Sequence, residues 1–539
     1  MPSLPDKYAY LLPTAAWYKL RLLVGFLGLA FSLWGISFLF RAYPGTTLPF
    51  VLMYLYLTVF LSIATWIGLS YRPFDRVAHW RWRGEFRRSS LRPSVDVFLP
   101  VCGEPLETLT QTWQAVAALD YPNYKVHVLD DAHDPRVEAL AKIYDFHYVA
   151  RENRGYLKKA GNIRYAFART RGEYFVIFDA DFAPLPEFLN ELLPYMVRDA
   201  RVAIVQSPQA FEYPESTYAE APLAYGASLI QEDFYRRTQV GLDTHNATVC
   251  VGSNAVYRRS ALNLVQGAAP IEHSEDLHTG FAMASSGYKV KYVPLRLAFG
   301  GVPNELGAWV RQQMRWCQGS LALVPTRKFW RAKINPATKL AYTSGWLYYY
   351  SSFVTLLSPY LTYVIFWQNV TVAPWVGLFY IPVILTNWVF FPRFRTREFR
   401  PSLIYVYWLL TYIHAYTIWG HLRRSARAWV PTAAAHAQKT EQRQVLDLVS
   451  LNLATHGGLL LPLLILGRID FASPSVGLVF FWLCLEIFKP IALLLYTWIR
   501  VEKVLPARYT SWLWSRGFWE LSLSLSTGLV LGLGLLVNA

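Results

Sequence analysis

The stretch Tyr174-Phe-Val-Ile-Phe-Asp179-Ala-Asp181 predicts both the fold and the functional site of this 539-residue chain. Its first part is a short apolar run of aromatic and β-branched residues, which is typical of a buried strand in a parallel sheet. Two carboxylates, Asp179 and Asp181, stand one residue apart where that run ends. We therefore expect a strand that delivers a pair of acidic side chains to one edge of a sheet.

The same pattern recurs between residues 93 and 331. Further short apolar runs alternate with helical stretches, at Val95–Leu99, Lys125–Leu129 and Val202–Val205. This alternation predicts an α/β domain with a mostly parallel sheet and helices on both faces. The second of these runs also ends in two acids, Asp130 and Asp131, which we expect on a strand adjacent to that of Asp179. Ligands of such sheets bind beyond the carboxyl ends of the strands.

The composition indicates a membrane protein with a soluble part. Hydrophobic residues make up 54% of the chain and charged residues 16%, whereas about 25% of the residues of an average globular protein are charged. These values exclude a disordered chain, a coiled coil and a small disulfide-stapled domain. The four cysteines form no Cys-x-x-Cys pair, so no zinc site is predicted. We expect the net charge of +16 to face the cytoplasm and anionic lipid rather than nucleic acid.

Two apolar runs open the chain, Leu22–Phe40 and Leu48–Leu69. Each is close to the roughly 20 residues that a helix needs to cross a bilayer. An arginine-rich stretch follows at residues 72–92. Because cytoplasmic loops are enriched in Lys and Arg, we expect a transmembrane hairpin at residues 1–70 and a cytosolic α/β domain at residues 71–331.

Residues 332–539 are predicted to form a C-terminal α-helical membrane domain. Its apolar runs are Leu340–Phe366, Pro374–Phe391, Leu448–Leu466, Val476–Trp498 and Phe518–Val537. The aromatic-rich stretch at residues 402–420 has arginines on both sides, so we expect an interface helix that lies along the inner membrane surface.

Glu486 and Lys489 stand three residues apart inside the fourth of these C-terminal runs. Charges within a membrane span are costly and tend to face a partner or a water-filled path. We expect this helix face to border a channel; the alternative is a mutual ion pair within the helix bundle.

Three groups of residues could bind ligands or catalyse a reaction, and each could instead have a purely structural role. Asp179 and Asp181 suit Mg²⁺ or Mn²⁺, which prefer oxygen ligands and share them with phosphate, but acids at this place also cap helices. An acid of the segment Ser274–Asp276 can act as a general base or cap the following helix. The segment Gln312–Trp316 combines an indole that suits a sugar face with a guanidinium that suits phosphate, and it also fits a membrane anchor.

In chain order, Leu-Asp130-Asp131, Phe-Asp179-Ala-Asp181, Ser274-Glu275-Asp276 and Gln312-x-x-Arg315-Trp316 resemble the D, DxD, TED and QxxRW motifs of processive family 2 glycosyltransferases. In these motifs the chain is similar to bacterial cellulose synthase catalytic subunits and related β-glycan synthases. The resemblance covers residues 94–316 and extends to the flanking spans by architecture. It implies a GT-A-like cytosolic glycosyltransferase domain inserted in an α-helical polytopic membrane domain of the bacterial plasma membrane.

The resemblance also implies a role for each motif. A UDP-sugar donor is expected at Glu104, Asp130, Asp131, Lys159 and Asp179, with Mg²⁺ or Mn²⁺ at Asp179 and Asp181. The general base of an inverting displacement is expected to be Asp276, next to Glu275. The acceptor is expected at Gln312, Arg315 and Trp316, and a gating loop at residues 428–440, including Trp429 and Thr432.

The implied activity is the polymerisation of a UDP-sugar, UDP-glucose by resemblance, into a β-linked polysaccharide that crosses the membrane. Expected partners are the donor, the growing polysaccharide and membrane lipid, with accessory export subunits as candidates and no nucleic acid. Two alternatives stay open. One is a transferase that glycosylates a lipid acceptor once, and the other is a nucleotide-binding channel or scaffold without catalysis.

Overall fold

The structure, a computed structural model, describes residues 6–12, 15–211, 222–303, 305–368, 378–379, 401–423, 435–469 and 474–501. Two long apolar helices, α1 (Ala15–Ala42) and α2 (Pro44–Leu69), pack against each other as a hairpin. The shorter helix α3 (Arg76–Arg88) follows and begins at Asp75, whose side chain accepts a hydrogen bond from the backbone N–H of Ala78. The predicted N-terminal pair of helices is therefore present.

The α/β domain contains ten described strands. They are β1 (Val95–Val101), β2 (Tyr124–Asp130), β3 (His147–Ala150), β4 (Tyr174–Ile177), β5 (Phe182–Pro184), β6 (Val202–Gln206), β7 (Ala210–Phe211), β8 (Ala255–Arg258), β9 (Lys289–Tyr292) and β10 (Ala298–Gly300). Seven form a sheet in the order β3-β2-β1-β4-β8-β6-β9, and β5, β10 and β7 form a small second sheet. In the large sheet only β8 runs antiparallel to its neighbours. The prediction of a mostly parallel sheet is confirmed.

Helices cover both faces of the large sheet. Those of the domain are α4 (Leu106–Ala117), α5 (Pro135–Ile143), α6 (Lys158–Arg169), α7 (Phe188–Arg198), α8 (Pro222–Asp233), α9 (Gln239–Asp243), α10 (Arg259–Leu262), α11 (Glu275–Ser285), α12 (Leu306–Leu323) and α13 (Arg327–Arg331). Alternate residues of a strand point to opposite faces. Accordingly, Val176 packs into the core under α4 and α7, whereas Phe175 and Ile177 pack into the core under α6.

The strands that precede the two acidic clusters are not adjacent, which corrects our expectation. Strand β1 lies between β2 and β4 and pairs with both in parallel. The chain runs outward from β1 through β2 to β3 and then crosses back to place β4 on the other side of β1. Such a reversal of strand order opens a crevice at the carboxyl edge. The acids therefore flank that crevice, and the loop after β1 lies between them.

Four described helices make up the C-terminal part: α14 (Pro336–Trp367), α15 (Pro401–Leu422), α16 (Ala435–Ile465) and α17 (Pro474–Val501). Among the described residues, four helical segments are long and apolar enough to cross a membrane, namely Tyr18–Ala42, Thr47–Leu69, Thr440–Ile465 and Val479–Thr497. The predicted span Leu340–Phe366 lies in α14, which is not one of them. Phe518–Val537, most of Pro374–Phe391, and Trp429 and Thr432 of the expected gating loop lie outside the described residues.

Helix α15 contains the stretch for which we expected an interface helix. Its side chains Val406, Leu409 and Ile413 are fully buried. The helix packs against α8 and α12 of the α/β domain and against α14 and α16. It thereby connects the α/β domain to the long C-terminal helices, and its position along a membrane surface stays a prediction.

A buried carboxylate fastens the N-terminal segment and α3 to the α/β domain. Glu191 of α7 is fully buried and accepts hydrogen bonds from Lys7 Nζ at 2.9 Å and, with the imidazole as donor, from His79 Nε2 at 2.6 Å. Arg83 Nε lies 3.0 Å from the same carboxylate. Burial alone would raise the pKa of Glu191, but the hydrogen bonds from His79 and Lys7 outweigh it and lower the pKa.

Replacing Glu191 by Ala is expected to destabilise the protein, because Lys7, His79 and Arg83 would lose their common partner inside the fold. Loss of one partner of a buried ion pair costs about 3–5 kcal/mol. The matched control is Glu85→Ala, whose exposed partner Arg198 is 3.4 Å away and contributes about 0–1 kcal/mol. Thermal unfolding of the full chain in detergent should show a clearly lower midpoint for Glu191→Ala alone. Equal midpoints for the two variants would contradict this assignment.

Candidate active site

One cavity of about 1140 Å³ opens where β1, β2 and β4 end. Ten of the residues singled out in the sequence line it: Glu104, Asp131, Lys159, Asp179, Asp181, Glu275, Asp276, Gln312, Arg315 and Trp316. Side chains from six separate stretches of the chain therefore meet in a single space. Asp130, Glu486 and Lys489 are not among the lining residues.

Asp130 shapes the loop that carries Asp131. Its carboxylate is fully buried and accepts hydrogen bonds from the backbone N–H groups of Ala132 and Asp134 and from the Tyr148 hydroxyl, each at 2.8 Å. These three bonds leave Asp130 facing away from the cavity. Asp130 thus supports the loop beneath Asp131, and its expected role as a donor ligand stays a prediction.

Asp131 is held by Arg151, a residue that our sequence reasoning missed. Arg151 donates from Nε to Oδ1 at 2.6 Å and from Nη2 to Oδ2 at 2.9 Å, and the guanidinium is fully buried. It also donates to the carbonyl oxygens of Tyr156 and Lys158. Burial would raise the pKa of Asp131, but the hydrogen bonds from Arg151 outweigh it and lower the pKa. Arg151 directly follows strand β3. A search for charged residues at the end of this third strand, as was done for β2 and β4, would have found it.

Lys159 of α6 lies at the carboxylate pair that follows β4. Its Nζ donates to Asp179 Oδ1 at 2.5 Å and to the carbonyl oxygen of Gly252 at 3.0 Å. Burial would lower the pKa of Lys159, but the charges of Asp179 and Glu275 outweigh it and raise the pKa. The ammonium group is therefore protonated and offsets part of the negative charge in the cavity.

Asp181 lines the cavity, and its carboxylate and that of Asp179 are oxygen ligands of the kind that a divalent cation prefers. Desolvation within the cleft, with Asp179 and Glu104 nearby, raises the pKa of Asp181 to about 7. No group of three or more His, Cys, Asp or Glu side chains capable of holding a metal exists among the described residues. A Mg²⁺ or Mn²⁺ ion held by one or two carboxylates completes its shell with water and phosphate oxygens. The donor set therefore fits a cation that arrives with a diphosphate.

Glu275 and Asp276 form the first turn of α11. Asp276 Oδ1 accepts a hydrogen bond from the backbone N–H of Leu277 at 2.7 Å, whereas the side chain of the N-cap residue Ser274 caps no backbone N–H of the helix. Burial raises the pKa of both carboxyls, and the neighbouring Glu275 adds to the increase for Asp276, which reaches about 7. A carboxyl with this pKa is matched to accepting a proton near neutral pH.

Two glycines let this segment approach its neighbours closely. A Cβ on Gly252, whose φ is +71°, would lie 2.8 Å from Asp276 Oδ2. A Cβ on Gly319 of α12 would lie 1.7 Å from the Ser274 hydroxyl oxygen. Ser274 itself has a φ of +52°, a strained conformation for a residue with a side chain. The glycines thus fix the position of Asp276 relative to α12.

Helix α12 carries Gln312, Arg315 and Trp316 to the side of the cavity where the long helices begin. From there the cavity continues between the long helices α2, α14 and α15. Its further lining includes Phe60 and Ala64 of α2, Tyr342, Trp346 and Tyr349 of α14, and Tyr407 of α15. The reactive carboxylates and an aromatic-lined space between the helices therefore form one continuous cavity.

Glu486 and Lys489 of α17 form an ion pair with each other. Glu486 is buried and Lys489 is half-buried within the helix bundle. The structure thus shows the mutual pair that we named as the alternative. That this helix face borders a channel stays a prediction, because neither side chain lines the cavity.

If UDP binds at Asp131, as the sequence resemblance implies, replacing Arg151 by Lys is expected to weaken that binding, because Lys cannot make the bidentate contact that orients Asp131. Hydrogen bonds to a charged group are worth about 1.5–3 kcal/mol, so affinity should fall by about tenfold or more. The matched control is Arg164→Lys, since Arg164 lies on α6 but donates to the carbonyl oxygens of Val265 and Ala268 outside the cavity. Isothermal titration with UDP checks both variants. Unchanged affinity of Arg151→Lys would remove the positioning role.

The comparisons with known proteins agree with this geometry. Residues 96–265 match the model of glycosyl transferase family 2. Cellulose synthase 1 of Komagataeibacter xylinus is 32% identical over 288 residues, which are 52% of this chain and 18% of that protein. The UDP-forming cellulose synthase catalytic subunit of Xanthomonas axonopodis pv. citri is 35% identical over 237 residues, which are 42% of this chain and 32% of that protein. The chain thus spans less than half the length of either relative.

Among solved structures, the chain is similar to a mannosyltransferase of Pyrobaculum calidifontis crystallised with GDP-Man and Mn²⁺. The TM-score is 0.47 at 16% identity, and the match covers 68% of this chain and 99% of that one. The mixed seven-stranded sheet and the family match together indicate a GT-A-like fold. Residues 96–265 thus match glycosyl transferase family 2, and the chain is similar to bacterial cellulose synthase catalytic subunits.

Proposed function

We propose that the chain is a membrane-embedded, processive, inverting glycosyltransferase of the bacterial plasma membrane. It polymerises a UDP-sugar, with UDP-glucose as the first candidate, into a β-linked polysaccharide and moves that polysaccharide across the membrane. The observation that carries the proposal is the single cavity, which joins the carboxylates at the sheet edge to the space between α2, α14 and α15. The similarity to UDP-forming cellulose synthase catalytic subunits supports the choice of donor.

The donor would bind where β1, β2 and β4 end. Asp131, Glu104 and Lys159 line this part of the cavity. Asp131 and Glu104 would accept hydrogen bonds from the nucleoside, and Lys159 would neutralise the diphosphate. Asp179 and Asp181 would hold Mg²⁺ or Mn²⁺, which supplies positive charge for the negative charge that develops on the leaving diphosphate. Lys159 already contacts Asp179, so this ammonium lies beside the place where that charge appears.

Asp276 would act as the general base. Its carboxylate accepts the proton of the acceptor hydroxyl, the hydroxyl oxygen attacks the anomeric carbon of the donor, and the bond from that carbon to the diphosphate oxygen breaks. UDP leaves with the bonding electrons, so an α-linked donor gives a β-linked product. Gly252 supports this role, because the absence of a Cβ leaves room for the carboxylate against the wall of the cavity.

Trp316 and the aromatic side chains of α14 would guide the growing chain. Indole and phenol rings offer flat apolar faces on which sugar rings stack. Tyr342, Trp346 and Tyr349 line the cavity beyond Trp316. A chain lengthened by one sugar then has stacking partners further along the same space, which favours repeated addition over release.

The test is to supply single radiolabelled UDP-sugars to the purified chain in detergent with Mg²⁺ or Mn²⁺ and to measure the size of the product. We expect a high-mass polymer from one donor that β-specific hydrolases degrade. Asp276→Asn should lower turnover by about 10²–10⁴-fold, as expected for loss of a general base, while UDP still binds. Glu107→Gln, an exposed acid of α4 that does not line the cavity, is the control and should keep its activity.

Two outcomes would contradict the proposal. A single low-mass glycolipid as the only product would identify a transferase that acts once on a lipid acceptor. Binding of UDP without turnover of any UDP-sugar would favour a nucleotide-binding channel or scaffold. Undiminished turnover of Asp276→Asn would remove the assignment of the base.

Activity is expected to fall as the pH decreases through about 7, because Asp276 must be ionised to accept a proton and its pKa is raised to about 7. An ordinary Asp would give this loss near a pH of about 4. Asp181 has a similarly raised pKa, but a bound cation favours its ionised form. Profiles of kcat against pH at low and high Mg²⁺ separate the two groups, since only the part due to Asp181 shifts with the cation. A loss centred near pH 4 at both concentrations would contradict the raised pKa of Asp276.

A further inference from the structure

The segment from α13 to the start of α14 exposes a basic surface. Arg327, Lys328, Arg331 and Lys333 are all exposed, and the Trp330 side chain among them is 57% exposed. From Leu306 to Arg397 the sequence contains no Asp or Glu, so no acid of its own segment neutralises these cations. We call Arg327, Lys328, Trp330, Arg331 and Lys333 the α13 surface.

The α13 surface lies at the level where the membrane-type helices end. Phe329, on the opposite side of α13, is fully buried in one apolar cluster with Ile63 and Ile67 of α2. Ile67 is two residues before the end of the candidate membrane span Thr47–Leu69. A lipid bilayer around that span would therefore place its headgroups at the height of α13. Exposed cations with an exposed Trp are the combination that suits an anionic membrane surface.

Phe329 also contacts the helix that carries the proposed base. Its ring stacks on Phe281 of α11 with the ring centres 5.2 Å apart. Phe281 contacts Tyr342 of α14 edge-on at 5.4 Å, and Tyr342 lines the cavity. Helix α11 begins with Glu275 and Asp276. The position of α13 is thus connected through two aromatic contacts to the catalytic helix and to the cavity wall.

We propose that the α13 surface binds the headgroups of anionic phospholipids, and that this binding holds Phe329 against Phe281 and so keeps α11 in position for catalysis. The occupant is the lipid headgroup at the cytosolic membrane surface, chosen for its negative charge and for its height relative to α2. The effect on catalysis rests on the function proposed above, whereas the binding of the headgroup does not.

The binding is tested without any enzymatic reaction. The full chain is placed in nanodiscs that contain brominated phosphatidylglycerol or brominated phosphatidylcholine. The bromine atoms quench the fluorescence of nearby Trp side chains, and the quenching of Trp330 is obtained from the difference between the wild type and Trp330→Phe. We expect brominated phosphatidylglycerol to quench Trp330 more strongly than brominated phosphatidylcholine does. Each contributing cation should raise the affinity for phosphatidylglycerol relative to phosphatidylcholine by about fivefold. The triple variant Arg327→Gln, Arg331→Gln, Lys333→Gln should lose this preference. The control Lys125→Gln, Arg136→Gln, Lys142→Gln removes the same charge from the exposed surface around β2 and α5 and should keep it.

The coupling is tested by the rate of sugar transfer in the same nanodiscs. We expect at least about a twofold higher kcat with phosphatidylglycerol than with phosphatidylcholine alone, since even one lost contact of this kind is worth several-fold. The triple variant should keep the rate seen in phosphatidylcholine and lose the increase. Phe329→Leu should keep the lipid preference in the quenching experiment and lose most of the increase in kcat. Inorganic phosphate added to phosphatidylcholine nanodiscs should not replace the lipid.

Equal quenching by the two lipids, or a preference kept in the triple variant, would overturn the headgroup site. A full increase in kcat in Phe329→Leu would overturn the coupling through Phe281. If inorganic phosphate gave the same increase, the membrane would not be the source of the bound anion and the proposal would fail. A clear lipid preference without any sugar transfer would leave the headgroup site in place and count against the proposed function.

Discussion

The balance between carboxylates and cations in the cavity at the sheet edge is the constraint on which the candidate site depends. Asp179, Glu275 and Asp276 meet there in surroundings that disfavour charge, and Lys159 and Arg315 are the cations whose charges act on all three. Carboxylates this close raise one another's pKa unless cations compensate them. Lys159 does so directly at Asp179. An anionic diphosphate can enter such a site only with positive charge of its own, which is the physical reason for proposing a divalent cation beside Asp181.

The same cavity explains why an α/β domain and long apolar helices occur in one chain. Helix α12 contributes Gln312, Arg315 and Trp316 to the cavity and packs against α15 and α16. Glu191 fastens the segment before α1 and the helix after α2 to the domain from another side. Contacts at two places hold the carboxylates in a fixed position relative to the space between the helices. The aromatic-lined part of the cavity is therefore continuous with the part that holds the carboxylates.

Much of this could be predicted because the signals are local. The strands β1, β2, β4 and β6 follow from short apolar runs, and the acids at their ends follow from the carboxyl-edge rule. The order of the strands could not be predicted, because the residues in and around β2 and β4 contain no signal that β1 lies between the two strands. The roles of Gly252 and Gly319 could not be predicted for a similar reason. Each matters through a contact with a residue more than 20 positions away, namely Asp276 and Ser274 respectively.

The sequence by itself determined which side chains are available for chemistry: the acidic pairs after two strands, the segment Ser274–Asp276 and the segment Gln312–Trp316. It also determined that long apolar helices flank an α/β domain, because hydrophobicity and its period are properties of consecutive residues. Only the tertiary structure decided that Asp131 lines the cavity while Asp130 does not, and that neither Glu486 nor Lys489 lines it. Those outcomes depend on burial and on contacts with distant residues, such as that of Asp131 with Arg151, which no single stretch of sequence contains.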